Sequence, residues 1–132
     1  MLGEMIGELH GKSTGQRVIP GDDFRYVKME ISWEQNGQIF GVDAMETGTI
    51  HVFERVPGQI YGSGQGIAMA GMDGAIWNGH GIGKMGPEGQ SFRFSIAFQA
   101  GGALARLNEV LVIGEQEVDV EGNVTTKLWE WK

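Results

Sequence analysis

Apolar and polar positions alternate along most of this chain. Val27, Met29, Ile31 and Trp33 share one parity, and Lys28, Glu30, Ser32 and Glu34 share the other. Phe92, Phe94, Ile96 and Phe98 oppose Ser91, Arg93, Ser95 and Gln99, while Val110, Val112, Val118 and Val120 oppose Glu109, Glu115, Glu117 and Asp119. A period of two puts successive side chains on opposite faces of a strand. Each segment therefore offers one apolar and one polar face, as an antiparallel sheet with one side in a core requires, and parallel α/β architecture is excluded.

Turn chemistry divides the alternation into strand-length pieces. Pro20-Gly21-Asp22-Asp23, Asn36-Gly37, Pro57-Gly58, Asp73-Gly74, Gly86-Pro87-Glu88-Gly89 and Glu121-Gly122-Asn123 all carry residues that fix a turn or tolerate positive φ. Asn36-Gly37 is the clearest hairpin signal, because both residues accept a type I′ turn. The strands between these breaks fall near 3–19, 24–35, 38–56, 59–70, 75–85, 90–100, 109–120 and 124–131. The first and third are long enough to bend, with Gly11, Gly15, Gly41 and Gly48 as candidate bulges. The one longer link, Gly101 to Asn108, spaces Leu104 and Leu107 for a single helical turn over a barrel end. Short sequential turns describe a meander, and closing a meander on itself removes both unpaired edges. The predicted fold is all-β: a single domain over 1–132, an eight-stranded antiparallel meander β-barrel with one short helical turn between strands six and seven.

Glycine sharpens this picture. The chain holds 23 glycines in 132 residues, far above the usual share of about 7%. An apolar fraction of 41% argues against disorder, and three prolines with no glycine every third residue argue against collagen. Gly62, Gly64 and Gly66 alternate with Ser63 and Gln65, and Gly79, Gly81 and Gly83 alternate with His80 and Ile82. Folding that hairpin puts six glycines on one face of two adjacent strands. A bare wall either lets Phe92, Phe94 and Phe98 fill a narrow barrel or leaves room for a ligand. Small and large residues alternate inside tapered barrels, which favours the first.

Charge, cysteine and the chain start narrow the function classes. Ten Lys plus Arg against 17 Asp plus Glu give a net charge of −7 with no basic stripe, so neither nucleic acid nor an anionic membrane is an expected partner. No cysteine is present, which removes disulfides, thiolate metal sites and a cysteine nucleophile. The acidic, interrupted start Met1-Leu2-Gly3-Glu4 lacks signal-peptide character, and the expected location is cytoplasmic. His10, His51 and His80 fall on three different strands, so no metal site is expected, and no cofactor is indicated. Gly81-Ile82-Gly83-Lys84-Met85-Gly86 matches a dinucleotide fingerprint, but Pro87 stands where the phosphate-capping helix must begin, so the match is accidental.

The remaining chemistry lies on the face opposite the glycines. Gln65 and His80 share that face with Ser63, Asn78 and Lys84, and Arg93, Gln99, Glu115 and Glu117 lie on the polar faces of neighbouring strands. Pointing inward, these residues would line a polar cavity in which His80 and Glu115 or Glu117 form an acid/base pair. Pointing outward, they form a charged surface of cross-strand pairs. Trp129 and Trp131 share a face of the final strand, read as its core face, with a subunit interface as the alternative.

The runs Tyr61-Gly62-Ser63-Gly64-Gln65-Gly66 and Gly79-His80-Gly81-Ile82-Gly83, the Phe-rich strand after them and the Leu104-Ala105-Arg106-Leu107-Asn108 link resemble a group of bacterial proteins of uncharacterised function. More distantly, residues 61 to 99 resemble the allene oxide cyclase-like and dirigent barrels. That resemblance implies an eight-stranded barrel with an apolar cavity, often oligomeric, whose members bind or cyclise hydrophobic small molecules. It places no catalytic residue on this sequence. Three functions follow as expectations: a module binding a small hydrophobic ligand oriented by Arg93, Gln99 or His80, a cyclase or isomerase, and a filled structural barrel. A homo-oligomer is compatible with each.

Overall fold

The computed structural model describes residues 1–22 and 25–132. Its strands are β1 (Leu2–Ile19), β2 (Lys28–Ile39), β3 (Val42–Val56), β4 (Gln59–Ala70), β5 (Asp73–Gly86), β6 (Gly89–Ala100), β7 (Leu111–Asp119) and β8 (Asn123–Trp131). Each pairs antiparallel with its sequence neighbours and β8 pairs back onto β1, so the chain forms a closed eight-stranded meander barrel. A 3-10 helix, Gly102–Glu109, links β6 to β7, as the Leu spacing predicts, and buries Leu104 and Leu107 over one end. Burial of that kind contributes about 1.5–3 kcal/mol per leucine. Among the described residues, no helix is long and apolar enough to cross a membrane.

Two predicted turns are displaced. Asn36 and Gly37 lie inside β2, paired with Met45 and Ala44, and the reversal comes at Phe40-Gly41. Phe40 (φ 50) and Gly41 (φ 74) both adopt the left-handed conformation that suits a tight hairpin. The guanidinium of Arg106, on the 3-10 helix, sits 4.1 Å from the centroid of the Phe40 ring and holds it there. Gly37 serves a different need, because a Cβ at that position would lie 2.0 Å from the Glu8 carbonyl oxygen on β1. Asp73-Gly74 likewise opens β5 rather than forming the turn, which falls at Gly71-Met72. Pro20-Gly21-Asp22-Asp23 lies partly outside the described residues. Of the candidate bulges, Gly15 adjoins a register shift in β1, whereas Gly11 and Gly48 pair in register and Gly41 is in the turn.

The core lies inside the barrel in two clusters. The larger, toward the helix-covered end, includes Leu9, Ile39, Leu104, Leu107, Val112 and Leu128. The smaller joins Ile31, Val52, Ile60 and Phe92. The glycine stripe faces inward between them, with Gly62 opposite Gly81 and Gly64 opposite Gly79. A Cβ at Gly83 would lie 2.6 Å from the Phe92 ring, and one at Gly114 would lie 2.2 Å from Phe94. Large rings thus occupy the space that side chains on the bare wall would have taken, which is the structural reading of the stripe.

Candidate functional site

The alternation that turns Trp33 and Gln35 of β2 inward does the same for Ala44, Glu46, Gly48 and Ile50 of β3. A carboxylate therefore enters the barrel at a position where a strand of this parity normally carries an apolar residue. Among the described residues, the buried polar side chains are Gln35, Glu46, Gln116 and Thr126, and Glu46 alone is ionisable.

Glu46 is 6% exposed, and both of its carboxylate oxygens accept hydrogen bonds. Trp33 Nε1 donates to its Oε2 at 2.8 Å and Gln35 Nε2 to the same oxygen at 3.0 Å, while Trp77 Nε1 donates to Oε1 at 3.1 Å. Strand register explains this convergence. Gln35 lies directly opposite Glu46, Trp33 opposite Gly48, and Trp77 opposite Gly66. A Cβ at Gly48 would lie 2.6 Å from the Trp33 ring, and one at Gly66 would lie 2.7 Å from that of Trp77, so both indoles need glycine beside them. The two rings stack with centroids 6.3 Å apart and planes at 18°.

The polar belt continues across the barrel. Thr126 of β8 donates its hydroxyl proton to Gln35 Oε1 at 2.8 Å and accepts from Gln116 Nε2 of β7 at 3.1 Å. Every buried side-chain nitrogen and oxygen among the described residues has a partner. Burial nonetheless pushes the Glu46 carboxyl above the ordinary value for glutamate, and the hydrogen bonds from Gln35, Trp33 and Trp77 only partly oppose it. Among the described residues, no Lys, Arg or His forms an ion pair with it. Beside the carboxylate lies a cavity of about 50 Å³ whose wall includes Ile50, Gly64, Trp77, Phe94 and Phe98.

Of the candidate site residues singled out in the sequence, His80 alone borders this cavity. Gln65, His80, Arg93, Gln99, Glu115 and Glu117 are all exposed, on the outer face of β4 to β7. Arg93 and Glu115 are paired across β6 and β7 with Nε 3.8 Å from Oε1, an ordinary surface ion pair. His80 stands between Ser63 and Ser95, and Glu117 between Ser91 and Thr125. Trp129 and Trp131 also point outward, because Val124, Thr126 and Leu128 occupy the inner parity of β8, and the expected core role of the two tryptophans is corrected. Trp131 pairs with Leu2 and Leu111, and all three are exposed. Sequence reading missed Glu46, although it shares parity with Ala44, Ile50 and Val52.

A second feature stands outside the barrel. Tyr26, Phe53 and Tyr61 form a chain of ring contacts at 5.8 Å and 6.2 Å, and the Arg55 guanidinium lies 4.9 Å from the Tyr61 centroid. Nearby, Glu30 accepts from Arg17 and pairs with His51 at 2.9 Å, which holds its carboxyl below the ordinary value.

No protein-family model matches the chain, nor does any curated protein. Solved structures do. A protein of unknown function from Clostridium acetobutylicum superposes with a TM-score of 0.79 at 13% identity, over 98% of each chain. A conserved protein of unknown function from Rhodopseudomonas palustris gives 0.79 at 14% identity, over 98% of this chain and 97% of that one. At such identities the likeness is one of fold: a small β-barrel whose neighbours have no established function.

Proposed function

We propose that this barrel is a small-molecule binding module whose ligand occupies the interior beside Glu46. The carboxylate carries the reading. Taking an ionised carboxylate out of water costs several kcal/mol, a penalty that an apolar side chain of similar volume avoids. A filled structural barrel has no use for that penalty, whereas a ligand site does.

Cavity size sets the ligand class. About 50 Å³ is well below the roughly 300–1,000 Å³ of drug-sized pockets and the about 150 Å³ that accepts benzene. The interior suits a molecule of a few non-hydrogen atoms. A larger hydrophobic ligand requires Phe94 and Phe98, which are only partly buried, to rotate away. The resemblance to allene oxide cyclase-like and dirigent barrels supports an interior site of this kind. It also supports a second reading, cyclase or isomerase chemistry, for which a carboxyl held above its ordinary value is a suitable proton donor or acceptor.

Native mass spectrometry of the purified protein, followed by thermal unfolding with xenon, benzene or ethanol, tests the binding reading. A retained adduct or a rise in Tm with one of the probes is expected. Absence of both for every probe would leave the filled structural barrel as the reading. The same spectra count subunits, for which the exposed Leu2, Leu111 and Trp131 are the proposed contact between copies.

A further inference from the structure

We infer that the polar group bound by Glu46 is a cation: the protonated amino group of a small alkylamine. This rests on the interior being a binding cavity, and it adds the chemistry of the ligand. Every hydrogen bond that Glu46 makes is one it accepts, from Trp33, Gln35 and Trp77. Indole nitrogen is a donor only, so the surroundings are built for the anionic carboxylate and not for a carboxyl O–H, which needs an acceptor. The amide oxygen of Gln35 is turned the other way, toward Thr126.

An ionised carboxylate offers about four acceptor positions, and three N–H groups leave one open. Oε2 takes two donors and Oε1 takes only Trp77, so the open position is on Oε1. The elements packed around it bring no positive charge. β2 presents Trp33 and Gln35, β4 presents Ala68, β5 presents Trp77, β7 presents Gln116 and β8 presents Thr126, none of them charged. The other ionisable residue of the cavity wall among the described residues is His80 of β5, which is exposed and makes no ion pair with Glu46. A single negative charge in an apolar enclosure is matched best by one positive charge brought in from outside. An ammonium group supplies that charge and a donor together, and aromatic walls attract cations. A neutral alcohol supplies only the donor, and an anion is repelled.

Ethylammonium is the test probe and ethanol its neutral counterpart, each titrated at matched ionic strength. The indole N–H resonances of Trp33 and Trp77 report directly on Glu46. Ethylammonium is expected to shift both and to bind roughly tenfold or more tightly than ethanol, with Glu46→Gln removing that preference. In the wild type, ethylammonium affinity is expected to fall as acid protonates Glu46, while ethanol affinity holds. That pH series keeps the test decisive if Glu46→Gln fails to fold. Equal binding of the two probes, or ethylammonium binding that survives Glu46→Gln or is independent of pH, overturns the cationic ligand. Binding of ethanol or benzene without ethylammonium leaves the binding module standing and removes the cation. Failure of all these probes removes both.

Discussion

Gly37→Ala tests the place where chain geometry departs most from local turn chemistry. A methyl group there would sit 2.0 Å from the Glu8 carbonyl oxygen and 2.8 Å from Leu9 Cα, both on the β1 backbone. Ordinary contact begins near 3.4 Å, so β1 and β2 must separate by more than 1 Å, and neither neighbour is a side chain that can swing aside. Overpacking of this kind costs about 1–3 kcal/mol even when side chains can yield, so a loss of about 3 kcal/mol or more is expected. In a chain of this size that lowers Tm by roughly 10 °C. Gly41→Ala is the control. Gly41 takes φ +74 with open space around it, so alanine there faces only the left-handed conformational penalty of about 1–2 kcal/mol. Thermal and urea unfolding of the two variants side by side is the assay. If Gly37→Ala is no more damaging than Gly41→Ala, the close β1–β2 approach is wrong and the hairpin belongs at Asn36-Gly37.

Further outcomes follow from the polar belt and the helical lid. Because burial raises the folded-state Glu46 carboxyl above its unfolded value of about 4.3, the folded state binds the extra proton, and its stability falls as pH rises through that interval. Urea titrations from pH 4 to pH 8 are therefore expected to show wild type losing stability relative to Glu46→Gln as pH increases. A difference independent of pH would refute the shift. Thr126→Val deprives Gln35 Oε1 and Gln116 Nε2 of their shared partner and is expected to cost about 1–3 kcal/mol per stranded group, measured by chemical unfolding. Leu107 is the lid's own fully buried side chain, and Leu107→Ala is expected to cost about 2–5 kcal/mol in the same assay; a loss below about 1 kcal/mol would mean the helix does not seal that end.

The sequence by itself determined the architecture. Alternation along Met29 to Trp33 and Phe92 to Phe98, punctuated by Pro57-Gly58 and Gly86-Pro87-Glu88-Gly89, is local information, and local information is enough to specify an antiparallel meander. The Leu104 and Leu107 spacing marked the lid for the same reason. Tertiary structure decided what depends on partners far along the chain. Whether Gly37 makes a turn or a close approach depends on Glu8, roughly thirty residues away, and the lid residue Arg106 packs over Phe40 in the actual turn. Polar faces bearing His80 and Arg93 read more readily as surface than as cavity wall, and barrel closure is what fixed them on the outer side. The same closure carried Glu46, one of 17 acidic residues, into the interior against Trp33, Gln35 and Trp77. A carboxylate is indistinguishable from its exposed neighbours in sequence because burial, unlike strand parity, is a property of the assembled barrel.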